Sequence, residues 1–168
     1  MIPTQNKNYS SYDTSVIQFY QWITGHIEKA PHQWVMANLN CKPKTMPNSL
    51  KKSADFLYNQ IDKIAFKKCG GQVKGRLKKI RVLEAGQGGQ WHEHCLVQAG
   101  GAIPDPEILC KTIETLWARD RVSGRYSKIA IYQPNYPGQD YALYISHKLA
   151  RSQANAKNNI FNIVLDIE

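Results

Sequence analysis

The sequence predicts an α+β fold, an antiparallel sheet with helices packed on one face. Three observations carry this. Short β-branched runs alternate with amphipathic helical stretches, a Gly-rich turn joins two neighbouring strands, and 168 residues suffice for one core. Hydrophobic residues make up 42% of the chain, which marks it as globular. No run approaches the roughly 18 apolar residues of a membrane span. The polar start "MIPTQNKNYSSYDT" has no signal-peptide pattern, so a cytoplasmic protein without membrane partners is expected. Cys41, Cys69, Cys95 and Cys110 are scattered and are expected to be reduced.

The elements follow in order. Residues 1–13 are expected to be a flexible N-terminus, and 14–168 a single domain. "SVIQFYQWITGHIEKA" has Val16, Phe19, Tyr20 and Ile23 at helical spacing. "HQWVMANLN" (His32 to Asn40), bounded by Pro31 and Pro43, reads as a strand. "SLKKSADFLYNQIDKIAFKK" carries the stripe Leu50, Ala54, Leu57, Ile61 and Ile64, with Asn48 or Ser49 as its cap. Lys78 to Gly86 and Gln90 to Gly100 read as two strands of a hairpin. In "DPEILCKTIETLWAR", Asp105 caps, Pro106 is the first helical residue, and Leu109, Ile113, Leu116 and Trp117 face the core. "SKIAIYQ" is a strand, "GQDYALYISHKLARSQ" a helix, and "IFNIVLDIE" a closing strand. The order contains β-α-β-β-α-β, the ferredoxin-like arrangement.

Net charge is +9 and unevenly spread. Between Lys42 and Arg81 stand twelve Lys or Arg residues against two acids, Asp55 and Asp62. A basic block of this kind points to a polyanion, and Lys42, Lys44, Lys74, Arg76, Lys78 and Lys79 are the candidate nucleic-acid contacts. The sequence has no GxxxxGK[ST] motif, which excludes a P-loop ATPase.

The stretch "VLEAGQGGQWHEHCLVQ" concentrates the chemistry. Strand alternation puts His92, His94, Leu96 and Gln98 on one face, the open side of the sheet. Trp91, Glu93, Cys95 and Val97 take the other, facing the helices. With the turn centred on Gly88, Glu84 pairs across from His92 and Val82 across from His94, so Glu84 joins the histidine face. Two neutral imidazoles and a carboxylate can hold a divalent cation, and Mg²⁺ or Mn²⁺ would suit a phosphate substrate. Glu93, on the opposite face, should not touch the metal.

On the last helix Ala142, Ile145 and Leu149 form one side, while Tyr141, Tyr144, Lys148 and Arg151 form the other. Tyr144 and Lys148 are an i,i+4 pair. A tyrosine beside a cation and outside the packing stripe suits nucleophilic chemistry. Tyr141 and Tyr144 equally suit edge packing or stacking on bases.

Taken together, "WVMANLN", the Glu84/His92-x-His94 hairpin and "DYALYISHK" resemble the HUH endonucleases, specifically the rolling-circle replication initiators (Rep proteins) of plasmids and small single-stranded DNA viruses. The resemblance covers residues 32–152. It departs at Glu93, where an apolar residue is usual, and at Tyr144-x-x-x-Lys148, one residue longer than usual, which leaves Tyr141 an alternative nucleophile and His147 an alternative cation. It implies an enzyme that nicks and rejoins single-stranded DNA at a replication origin. Glu84, His92 and His94 would hold Mg²⁺ or Mn²⁺, Tyr144 would form a 5′-phosphotyrosine link, and Lys148 would stabilise charge. Phosphates would lie on the basic block and Arg151, and exposed aromatics such as Trp34 or Tyr136 would stack bases, with burial the more expected place for Trp34. Unwinding and synthesis would fall to a host or separate helicase and polymerase, in the cytoplasm or, for a eukaryotic virus, the host nucleus. Three rivals stand beside it: a non-enzymatic nucleic-acid-binding domain of the same fold, a related relaxase or transposase, and a structural metal-binding protein.

Overall fold

The computed structural model describes residues 14–30, 32–66, 68–69, 72–73, 75–86, 89–133, 140–154 and 163–166. The N-terminal segment 1–13, Gly88, Lys74 and Tyr136 lie outside the described residues, as does the side chain of Arg151. The chain runs α1 (Thr14–Ile27), β1 (Trp34–Asn40), α2 (Pro47–Ala65), β2 (Lys68–Cys69), β3 (Gln72–Val73), β4 (Lys79–Ala85), β5 (Trp91–Gln98), α3 (Pro106–Ala118), β6 (Lys128–Ile131), α4 (Tyr141–Ala154) and β7 (Ile163–Asp166). Five strands form one sheet in the order β6-β1-β5-β4-β7, and every neighbouring pair is antiparallel. Leaving aside β7 and the two-residue hairpin β2–β3, this is the expected ferredoxin-like sheet. Among the described residues no helix is long and apolar enough to cross a membrane.

The two faces of the sheet bury different helices. Val35, Ala37 and Leu39 of β1, Leu83 of β4, and Cys95 and Val97 of β5 pack against α2 and α3. These are the crossover helices, on one face as expected. The opposite face, expected to be open, is partly covered: Trp34, Ile80, Val82 and Leu96 pack against Ile23 and Ile27 of α1 and Ala142, Ile145 and Leu149 of α4. The physical reason lies in the strands themselves: Ile80 and Val82 of β4 and Leu96 of β5 make this face apolar too, and it needs a cover. Trp34 is fully buried in this second layer, so it is not a base-stacking surface.

Local signals explain the ends. Asp105 Oδ1 accepts from the Glu107 amide at 2.8 Å and Pro106 opens α3, as predicted. On α2 the expected caps are displaced. Met46 occupies the cap position in extended conformation with no side-chain bond, and Asn48 and Ser49 lie inside the helix. Pro47 sets the first helical φ and so starts the helix before them. Ile64 is 49% exposed, off the buried stripe, where Tyr58 and Ala65 pack instead. Leu116 is only partly buried beside Leu109, Ile113 and Trp117. Cys41, Cys95 and Cys110 are free thiols.

Candidate metal centre

The hairpin β4–β5 builds the site. Its register pairs Glu84 with His92 and Val82 with His94, as the Gly-rich turn predicts. Gly86 N–H donates to the Gln90 carbonyl at 2.8 Å and closes the strands into the turn. A Cβ at Gly86 would come within 3.1 Å of His92 Cε1, so the bare glycine leaves room for that ring. Gly86→Ala is therefore expected to displace His92 and weaken divalent-cation binding about tenfold, the scale on which groups supporting metal ligands act. Calorimetric titration with Mn²⁺ checks this, and unchanged affinity would mean that the His92 ring needs no such space.

Both imidazoles converge on one carboxylate oxygen. His92 Nε2 lies 2.9 Å and His94 Nε2 3.0 Å from Glu84 Oε1. The three ligand atoms all lie within 4.8 Å of one another, so the cluster can hold a metal ion. The spacing fits one. Ligands about 2.1 Å from a cation and at right angles to each other sit about 3 Å apart. The protonation states fit as well. Burial lowers the His94 imidazole, against the pull of Glu84, and so favours the neutral ring that can ligate. Burial works to raise the Glu84 carboxyl, but hydrogen bonds from His92, His94, Lys148 and Tyr144 outweigh it and hold the group well below the usual carboxylate range.

Helix α4 delivers the remaining groups. Tyr144 Oη donates to Glu84 Oε1 at 2.9 Å and lies 3.0 Å from His94 Nε2. Lys148 Nζ pairs with the other carboxylate oxygen, Glu84 Oε2, at 2.7 Å and sits 4.9 Å above the Tyr144 ring. The i,i+4 pair read from the sequence thus closes over the ligands. Lys148 supplies the cation at Glu84, while His147 is exposed on the same helix. Tyr141 takes a different place. Its hydroxyl donates to the Ala37 carbonyl at 3.2 Å and lies 3.4 Å from His94 Nδ1, behind the ring rather than at the ligand atoms. Burial pushes the Tyr141 phenol well up. Burial, and then Glu84, also raises Tyr144.

Asp140 is a positioning residue that the sequence reading passed over. Its Oδ1 accepts from the Leu143 amide at 3.1 Å at the start of α4, and its Oδ2 accepts from Tyr20 Oη of α1 at 2.8 Å. An aspartate just before a helical run is an N-cap signal, so it was there to be read in "GQDYALY". Glu93 behaves as its parity requires. It points away from the ligands, is buried under α2, and takes two bonds from Arg81, Nε to Oε1 at 3.0 Å and Nη2 to Oε2 at 2.9 Å.

The basic block divides. Lys42 and Lys44 are exposed, and Lys42 Nζ donates to the Arg121 carbonyl at 2.7 Å. Arg76 is exposed at a cavity of about 260 Å³ on the α2 side, away from the ligand face. Lys78 is half-buried. Lys79 is a correction: it is 2% exposed and paired with Asp62 at 3.0 Å, so it cannot reach a phosphate. Parity explains it, because Lys79 shares the inward face with Arg81 and Leu83 and follows them under α2.

Comparison with family models, with curated proteins and with solved structures finds no match for this chain. Fold and site define an α+β domain with a ferredoxin-like sheet and a Glu/His/His cluster, able to hold a metal ion, under a tyrosine.

Proposed function

We propose that the protein nicks and rejoins single-stranded DNA through Tyr144, as an HUH-type endonuclease of the kind that initiates rolling-circle replication. The observation that carries this reading is the Tyr144 hydroxyl lying within 3.0 Å of two of the three ligand atoms. A tyrosine kept only for packing has no need to place its oxygen there. Glu84, His92 and His94 would hold Mg²⁺ or Mn²⁺, which would supply Lewis-acid polarisation of the scissile phosphate. Tyr144 Oη attacks phosphorus; the new bond is P–O(Tyr) and the broken one is the bond to the 3′-oxygen. The proton that Tyr144 loses is balanced by the one the 3′-oxygen gains, so no ATP and no redox partner is required. Rejoining is the reverse. Lys148 holds positive charge beside the ring and the carboxylate, which favours the phenolate as it forms. Exposed Lys42 and Lys44 offer contacts to backbone phosphates.

The test is direct. Wild-type protein with labelled single-stranded DNA bearing its origin and Mn²⁺ should give a denaturation-resistant adduct and a shortened 3′-OH fragment. Chelation with EDTA should abolish both and leave salt-sensitive DNA binding largely intact. A protein that shifts the DNA in a native gel but never forms the adduct, with or without metal, is a binding domain instead.

A further inference from the structure

We propose that Tyr126 is a base-stacking platform for single-stranded nucleic acid two strands from the metal ligands, an inference that rests on reading the site as a single-stranded DNA nicking centre. Tyr126 lies in the loop between α3 and β6 and is 89% exposed, more than Met46 at 67% or Phe56 at 61%. Its φ is +68°, in the left-handed region that a bulky non-glycine residue rarely occupies. Such a conformation persists only where its surroundings enforce it.

Here they do. Asn40 Nδ2 donates to the Tyr126 carbonyl at 2.8 Å. Ser127 Oγ accepts from the Asn40 amide and from Trp117 Nε1, each at 3.0 Å. Gly124 N–H donates to the Asn40 carbonyl at 2.8 Å, and a Cβ at Gly124 would meet the Cys41 carbonyl oxygen at 2.4 Å, so the loop is pressed onto the end of β1. A pinned loop holding a strained residue that displays its ring to solvent is poor use of an aromatic for stability, since the ring buries almost nothing.

Its location supplies a use. Asn40 is the register partner of His92, and directly opposed residues share a face. The Asn40 side chain reaches the Tyr126 carbonyl on the β6 side of β1, so the Tyr126 backbone sits two strand spacings, about 10 Å, from the ligand strand. Around it Lys42, Arg121, Arg125 and Lys128 are exposed. An aromatic face interleaved with cations is the chemistry that stacks a base and grips its phosphates without reading sequence.

The experiment uses the full chain and a short single-stranded oligonucleotide carrying 2-aminopurine, read by anisotropy and by fluorescence quenching. Tyr126→Ala should weaken binding about tenfold, the scale of one stacked base, and relieve the quenching. Tyr126→Phe keeps the ring and should stay within about twofold. Phe56→Ala, on α2 under the opposite face, should bind as wild type. Wild-type affinity for Tyr126→Ala, or an equal loss for Phe56→Ala, overturns the inference. Adduct formation on the same oligonucleotide separates the two readings. Normal adduct yield with unaltered Tyr126→Ala binding sinks the platform alone. Quenching by Tyr126 with no adduct from wild type sinks the nicking reading and leaves a stacking site.

Discussion

Tyr144→Phe is expected to reduce the covalent DNA adduct by about 10³-fold or more, the usual cost of removing a nucleophile. The argument is geometric. Only the oxygen is lost, and that oxygen is the atom 2.9 Å from Glu84 Oε1 and 3.0 Å from His94 Nε2. The ring stays where it is, stacked on Tyr141 at 6.1 Å and under Lys148. Glu84 keeps its bonds to His92, His94 and Lys148, so no buried carboxylate is stranded and stability should fall by no more than about 1 kcal/mol. Mn²⁺ titration and DNA binding should change little. Tyr141→Phe is the control, since its oxygen serves a backbone carbonyl and the far side of His94. Adduct retained by Tyr144→Phe and lost by Tyr141→Phe would exchange their roles.

Which of the two tyrosines reaches the ligands was not legible from spacing. Positions 141 and 144 are one helical turn apart on one side of α4, and periodicity treats them alike. What separates them is depth, set by how α4 docks on α1 and the sheet through Ile145, Leu149 and the Tyr20–Asp140 bond. The convergence of Glu84, His92 and His94 was legible, because a Gly-rich turn fixes the register and the register fixes their face. The same parity would have exposed the fate of Lys79 and the partner of Glu93. Lys79, Arg81 and Leu83 form the inward set of β4, as Glu93, Cys95 and Val97 form that of β5. A charge count along the chain ignores that alternation and enrols a buried lysine as a surface contact. The hairpin β2–β3, with two residues in each strand, is too short to carry any pattern.

Arg81→Met is expected to destabilise the fold by about 3–5 kcal/mol near neutral pH, the cost of stranding a buried charge. Arg81 is 3% exposed and Glu93 2%, and the guanidinium also bonds Asp55 Oδ1 at 2.8 Å. Burial already pushes the Glu93 carboxyl up, against the pull of Arg81, and removing Arg81 lets burial act alone. The sign follows. A raised folded pKa means that the folded variant prefers the protonated acid. Its stability is therefore kept below the unfolded carboxyl value, about 4.3, and lost as pH rises through the folded one. Urea denaturation should show the deficit large at pH 7.5 and smaller at pH 5. Arg81→Met with Glu93→Leu should regain most of it, since an apolar pair of similar volume often replaces a buried ion pair without loss. A deficit that is the same at both pH values and is not rescued by the double variant would mean that Arg81 acts through packing on the Tyr58 ring, 4.7 Å from its guanidinium carbon. The pair also bears on the site. Glu93 stands between His92 and His94 in sequence and is bolted to β4 on the rear face, so the strand cannot slip by one residue without tearing that bond. The carboxylate that fits worst with an apolar strand is thus the one that keeps both histidines turned toward Glu84.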